Sequence, residues 1–409
     1  MIPKMDEYKK RWGIDSDASV KPGLEAVQQA LIKVGNPEKN LRILHVAGTN
    51  GKGSTIAFME GILRQHGFST GVFSSPALVD IHDQIRLNGQ PIEQKDLDAS
   101  FALMKKAGLS GLLTDFELLT VAALLAFRQF APDYVLLETG MGGALDSTNI
   151  VTPLVSVITS IAVEHVTFLG NTVEAVTEHK AGIIKSNRPV VIGPLGKEAV
   201  DVVRRVAREK NSLLFMYGQD FVMDCNAGEV FKGSQTYRLA ERHMKGPHQG
   251  ANAAVAIEAL LVAGAELVEE QVAAAIATVQ LRHRFEEIIP GVFRDGAHNP
   301  AAAAMLVQTI QSEFPGEKVD FVIGMLKGKD IEKTLDVLAP VAASFTFLTF
   351  AHPQAESAER LMLYCKCNIK TVTNVESDTI ILDRVDGRRI IVTGSLYMIA
   401  GLKVCLRAS

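Results

Sequence analysis

Short apolar runs alternate with amphipathic stretches along most of the chain. Residues 41–47 form one run, ended by Gly48, and residues 134–137 form another, ended by Glu138. Residues 155–161 and 190–192 repeat the pattern. Between the runs, residues 54–66 and 116–130 read as amphipathic or buried helices. This rhythm predicts a parallel sheet covered by helices on both faces.

The rhythm breaks over residues 223–248, which are more polar and carry Gly228, Gly233 and Gly246. Residues 230–232 and 236–239 predict a hairpin appended to the first domain, followed by an alanine-rich helix over 251–263. A second alternating series starts near Gly291. Its predicted strands are 319–323, 345–350, 369–372 and 390–393, with helices over 299–314 and 329–338. Pro290 and Gly291 punctuate the segment from Arg284 to Gly291 and place a domain boundary there, giving domains 1–287 and 288–409. A chain of 409 residues also exceeds what one core usually supports.

Composition narrows the possibilities. A hydrophobic fraction of 47% with 22% charged residues is that of a globular protein. The 42 basic and 46 acidic side chains nearly balance, so there is no basic footprint for nucleic acid. The greasiest stretch, residues 118–127, lies between Glu117 and Arg128 and is too short to span a bilayer. The N-terminal residues lack the apolar core of a signal peptide, so the expected location is the cytoplasm, with no membrane partner. Cys225, Cys365, Cys367 and Cys405 form no C-x-x-C pair and are expected to be buried thiols.

The strongest chemical signal is residues 45–55, His-Val-Ala-Gly-Thr-Asn-Gly-Lys-Gly-Ser-Thr. A strand runs into glycines, then Lys52, then hydroxyls opening a helix. Glycines let backbone N–H groups close on phosphate oxygens, and a helix N-terminus adds its positive dipole end. Lys52 suits a β/γ-phosphate, and Ser54 or Thr55 suits Mg²⁺. The stretch departs from G-x-x-x-x-G-K-[ST], with Val46 at the first glycine position and Gly53 after the lysine. The expected fold is therefore α/β: a P-loop-type, mostly parallel sheet domain with a small β appendage, then a smaller Rossmann-like C-terminal domain.

The variant from Gly48 to Ser54 resembles the ATP loop of folylpolyglutamate synthases and dihydrofolate synthases, members of the Mur ligase superfamily. Further blocks resemble that family in order: Lys21-Pro22-Gly23-Leu24, Ser74-Ser75-Pro76, Asp115-Phe116-Glu117, and the run from Glu138 through Gly140, Gly142, Gly143, Leu145 and Asp146 to Asn149. So do Thr159-Ser160-Ile161 with His165, Lys180-Ala181-Gly182, Asp295-Gly296-Ala297-His298-Asn299-Pro300 and Gly394-Ser395-Leu396-Tyr397.

The resemblance implies ATP-driven addition of L-glutamate to tetrahydrofolate, through an acyl phosphate, or to dihydropteroate. It implies nucleotide contacts at Thr49, Asn50, Gly51, Lys52, Gly53, Ser54, Asn252, Arg284 and Asp295. It implies two Mg²⁺ sites drawn from Ser54, Ser75, Glu138, His165 and Lys180, with Lys180 carbamylated and a monovalent cation as a further possibility of the family. Substrate contacts fall on Phe116, Glu117, Leu145, Asp146, His298 and Ser395, with Lys52, Lys180 and His298 as catalytic groups. It also implies a monomer. Other readings are a Mur-type ligase with another carboxylate acceptor and a non-catalytic nucleotide-binding paralogue.

Plain structural readings stand beside these. Lys180 alone reads as a solvated lysine on a helix capped by Asn171, and His165 as an ordinary loop histidine. The run from Asp295 to Pro300 reads as a turn with Asn299 as cap and Pro300 in the first helical turn. Several positions depart from the family pattern: Ala144 in place of an arginine, Glu164 in place of aspartate, Gln354 in place of an arginine, and His82-Asp83-Gln84-Ile85 in place of a Glu-Arg pair. Fewer basic side chains weaken the grip on a polyanionic glutamyl tail.

Overall fold

A computed structural model describes residues 2–19, 21–226, 228–373, 378–382 and 387–407. They divide into two compact units. One runs to Arg242 and includes Gly250–Val279, and the other comprises His243–Gln249 and the chain from Gln280 onward.

The first unit is built on eight strands: β1 (Ile43–Ala47), β2 (Thr70–Phe73), β3 (Ile85–Leu87), β4 (Gln90–Pro91), β5 (Tyr134–Glu138), β6 (Val155–Ile158), β7 (Val190–Ile192) and β8 (Leu214–Met216). Their order is β4-β3-β2-β5-β1-β6-β7-β8. From β2 to β8 all pairs are parallel, while β3 and β4 pair antiparallel at one edge. Every residue of β1, β5, β6 and β7 is buried, which explains their mostly apolar character. The helix Asp115–Phe130 starts at a capping box between Thr114 and Glu117 and is buried without a break from Leu118 to Phe127. The greasiest stretch of the chain is thus a core helix, and no described helix is long and apolar enough to cross a membrane.

The appendage has three strands, β9 (Val222–Asp224), β10 (Glu229–Lys232) and β11 (Thr236–Leu239), where the sequence predicts two. Behind it, the helix Pro247–Val262 buries Glu258. Glu258 Oε2 would lie 2.9 Å from a Cβ on Gly233, and it has no hydrogen-bond partner. Burial, reinforced by Asp220, pushes this carboxyl up to about 7 from 4.5. Between those values the folded chain keeps a proton that the unfolded chain releases, so stability falls as pH rises through this window. Glu258→Gln is expected to raise stability at pH 8 by roughly 2–3 kcal/mol. The gain should vanish below pH 4.5 in thermal melts across pH.

The second unit carries a six-stranded sheet of β12 (Glu286–Ile289), β13 (Val292–Arg294), β14 (Val319–Ile323), β15 (Ala342–Leu348), β16 (Lys370–Thr373) and β18 (Ile390–Thr393), in the order β12-β13-β18-β14-β15-β16. A separate parallel pair joins β17 (Thr379–Leu382) to β19 (Lys403–Leu406). The boundary expected between Arg284 and Gly291 lies inside this unit. Gly291, at φ 75°, is the turn of the β12–β13 hairpin, and Phe285 is buried against Phe293 and Phe314. Pro and Gly mark turns and linkers alike, which is why they misplace the division. Among the cysteines, Cys365 is buried and Cys367 half-buried, but Cys225 and Cys405 are exposed.

Candidate active site

Four loops leave the carboxyl ends of the adjacent parallel strands β2, β5, β1 and β6, where open α/β sheets hold ligands. The loop after β1 enters the helix Lys52–Gln65, with Gly51 as its N-cap at φ 84°. A Cβ on Gly51 would stand 2.6 Å from Asn252 Oδ1, so the loop closes on that side chain only through glycine. Thr49 and Asn50 lean on the loop after β6: Thr49 N donates to Ser160 O at 2.8 Å and Asn50 N to Ser160 Oγ at 2.9 Å. Lys52 follows the cap, Gly53 comes next, and Ser54 is buried in the first turn. Lys52 Nζ folds back to Gly48 O at 3.0 Å and stands 4.0 Å from Glu138 Oε1.

Glu138 ends β5 and is buried. Its Oε2 accepts from the Ser75 backbone N–H at 3.3 Å, which brings the loops after β2 and β5 together. Lys52, Ser75 and Glu138 thus form one cluster. The turn that follows packs on the helix Val173–Ala181: a Cβ on Gly143 would lie 2.7 Å from His179 O and 3.0 Å from Lys180 O. Ala144 N donates to His179 O at 2.7 Å, and Asn149 Nδ2 clasps Ala144 O and Gly182 O.

Lys180 departs most from its plain reading. It is 1% exposed, and its Nζ donates to Glu164 Oε1 at 2.8 Å. Burial lowers the ammonium to about 8, against the pull of Glu164, and the Lys52 charge lowers it further. Burial also pushes Glu164 up, but Lys180 and Lys52 outweigh it and hold the carboxyl below the usual range. The helix is capped by Thr172, whose side chain accepts from Ala175 N, and not by Asn171. Thr and Asn can both cap helices, and the adjacent candidates differ by one residue. His165 sits at φ 47° beside Glu164, with Nε2 3.9 Å from Oε2. The sequence marks Glu164 only as a departure from the family pattern and assigns it no role. Its only signal is its place one residue before His165.

The expected acceptor residues divide. Phe116 is half-buried, packs on Phe73 and fills the space a side chain on Gly140 would need. Leu145 is exposed. Glu117 is committed to the capping box, its Oε2 accepting from Thr114 N at 2.7 Å and Oγ1 at 2.9 Å. Asp146 is buried, which raises its carboxyl, while Thr148 and the backbone donors of Met141, Thr148 and Gly140 oppose the rise.

In the second unit, Asp295 accepts from Phe285 N and Ala297 N, each at 3.0 Å, and burial raises its carboxyl against the Arg284 charge. Arg284 Nη1 donates to His283 O at 3.2 Å, and His298 Nδ1 lies 2.8 Å from Gly296 O. Asn299 caps the helix Pro300–Glu313, with proline in its first turn. Ser395 is buried, and its Oγ has no hydrogen-bond partner.

The Mur ligase middle domain model matches residues 46–260, and the dihydrofolate synthetase C-terminal domain model matches residues 278–408. The dihydrofolate synthase/folylpolyglutamate synthase of Bacillus subtilis is 34% identical over 417 residues, covering 95% of this chain and 96% of that protein. This chain belongs to the folylpolyglutamate synthase/dihydrofolate synthase family. Two solved members extend the likeness over the fold. Escherichia coli FolC in complex with DHPP and ADP matches with a TM-score of 0.87 at 32% identity, covering 97% of this chain and 96% of that one. The bifunctional folylpolyglutamate synthase/dihydrofolate synthase from Yersinia pestis, complexed with AMPPNP and Mn ion, matches with a TM-score of 0.85 at 30% identity, over 97% and 96% of the two chains.

For a divalent cation, the family site offers two donor sets of unequal fit. Glu138 carries carboxylate oxygens beside Lys52 and the Ser75 backbone N–H, and Ser54 and Ser75 carry hydroxyl oxygens of the hard kind that Mg²⁺ takes. This set suits Mg²⁺. The set of His165 and Lys180 does not fit as it stands, because the Lys180 ammonium donates to Glu164 and has no lone pair to give.

Proposed function

We propose that this protein is an ADP-forming ligase that joins L-glutamate to tetrahydrofolate, with dihydropteroate as a second acceptor. The observation that carries the reading is the cluster at the carboxyl ends of β1, β2 and β5, where Lys52 stands 4.0 Å from buried Glu138 and Glu138 meets Ser75. The first chemical step brings two anions together, and such a step needs fixed positive charge in a shielded site.

An acceptor carboxylate oxygen attacks the γ-phosphorus of ATP, the bond to the β-phosphate oxygen breaks, and ADP leaves. The glutamate amine then attacks the acyl phosphate carbon, loses a proton, and phosphate departs. Bound Mg²⁺ neutralises phosphate charge. Residues 49–54 cradle the phosphates and Lys52 offsets their charge. Asn252, Arg284 and Asp295 are assigned to the nucleotide, Phe116, Glu117, Leu145 and Asp146 to the pterin acceptor, and His298 and Ser395 to the incoming glutamate. The Gly296 carbonyl sets the His298 ring through Nδ1.

A second ion on His165 and carbamylated Lys180, and a monovalent cation, rest on family resemblance. The burial that lowers Lys180 to about 8 enlarges the minor neutral fraction that carbamylation needs, and Lys180 must then leave Glu164. The protein is proposed to act as a cytoplasmic monomer without nucleic-acid or membrane partners. A Mur-type ligase with another acceptor and a non-catalytic paralogue are both disfavoured by the B. subtilis likeness over 95% of the chain.

Oxygen-18 in the reacting carboxylate of the acceptor tests the mechanism. One labelled oxygen should appear in the released phosphate, with ADP formed only when acceptor is present. Acceptor-independent ADP formation with unlabelled phosphate would contradict it.

A further inference from the structure

A buried chain of hydrogen bonds runs beneath the Gly-rich turn, and the proposed function uses only its last member, Asp146. His45 lies within β1 between Leu44 and Val46 and is 0% exposed. Its Nε2 is 2.8 Å from Thr148 Oγ1. Thr148 Oγ1 in turn donates to Asp146 Oδ1 at 2.5 Å, and the Thr148 backbone N–H donates to the same oxygen at 3.0 Å. The other carboxylate oxygen, Oδ2, accepts from Met141 N at 2.8 Å. One continuous path therefore links the centre of β1 to the turn that follows Glu138.

The direction of that path is set by proton counting. Thr148 has one hydroxyl proton, and it is committed to the carboxylate. His45 must then be the donor to Thr148, with its proton on Nε2. Nδ1 is left as a bare acceptor, and it is buried without a hydrogen-bond partner. Burial, reinforced by the Lys185 charge, lowers the imidazole to about 3, which keeps the ring neutral. A buried acceptor without a partner costs stability. An aliphatic side chain would fill this strand position without that cost, as Leu44 and Val46 do on either side. A polar group retained at such a position needs a compensating role, and the Thr148–Asp146 path supplies one.

We infer that His45 is a positioning residue: its Nε2–H orients Thr148, Thr148 orients Asp146, and Asp146 holds residues 140–143 in the arrangement that follows Glu138 and packs on the Lys180 backbone. The path fixes Asp146 from the side facing the sheet. Where Asp146 also meets the pterin acceptor, which rests on the proposed function, His45 acts on acceptor affinity through it.

Amide hydrogen exchange on the full chain, without ligands, tests the positioning itself. His45→Leu should speed exchange at residues 140–143 by about tenfold, the effect of losing one buried hydrogen bond. His45→Gln, whose amide nitrogen reaches the Nε2 position, should restore most of the protection. In a Thr148→Val background, His45→Leu should add nothing, because the path is already cut. Unchanged exchange at 140–143, loss spread evenly over β1 and its neighbours, or additive effects in the double variant would each overturn the inference. Dihydropteroate binding, measured in the same variants by titration, separates the two claims. Weaker binding by about tenfold that follows the exchange supports His45 acting on the acceptor through Asp146. Exchange that changes while binding holds would keep the positioning role and remove Asp146 from the acceptor site.

Discussion

Lys52→Ala is expected to cut glutamate addition by at least about a thousandfold, the range seen when a fixed charge on a transferring phosphoryl group is removed. Thermal stability should stay within about 1 kcal/mol of the parent, since Lys52 stands 4.0 Å from Glu138, beyond hydrogen-bond reach, and makes no close ion pair. The two readouts part because the loop does not depend on this side chain. Gly51 closes on Asn252, and the backbone N–H groups of Thr49 and Asn50 donate to Ser160 O and Oγ. Lys52 Nζ adds only contacts to Gly48 O and Thr49 O and the 4.0 Å approach to Glu138. Steady-state kinetics beside a thermal melt checks both. Retained turnover in a folded variant would remove Lys52 from the reaction.

Lys180→Met is expected to act on both readouts. Its ammonium is paired at 2.8 Å with Glu164, whose side chain is 13% exposed. Removing the cation leaves a largely buried carboxylate without its partner, at a cost of about 3 kcal/mol. Turnover should fall by at least about a hundredfold. Lys180→Met with Glu164→Leu separates the causes, because replacing both partners restores an apolar contact and should recover most of the stability. Activity should stay as low as in the single variant. If the double variant regains turnover along with stability, Lys180 serves only the fold. Chemical denaturation and initial rates on the same preparations decide between these.

The interior strands were legible in sequence because burial on both faces writes them as mostly apolar runs, as in β1, β5, β7, β14 and β18, with single polar residues such as His45, Glu138, Asp320 and Thr393. The edges were not. β3, β4 and β9 are two or three residues long with at most one buried residue each, so no period emerges. The phosphate loop was readable because its chemistry is local: glycines, a lysine and a helix start within a few residues. The Lys180–Glu164 pair spans sixteen residues of separation and depends on the depth of a helix in the fold, which a mixed pattern such as residues 173–181 does not reveal. Glu117 and Asp146 show the opposite effect. Motif matching marks them as ligand contacts, and the fold also commits both to local caps. A motif residue can serve the turn and the substrate at once, and sequence alone does not separate the two.

The most direct test of the account is mass spectrometry of the products formed by the purified protein with Mg-ATP and L-glutamate, with tetrahydrofolate and dihydropteroate offered separately. The account predicts a product heavier by one glutamyl residue with each acceptor. Addition to tetrahydrofolate alone would contradict the second acceptor. No addition to either, with ATP still bound, would contradict the ligase assignment.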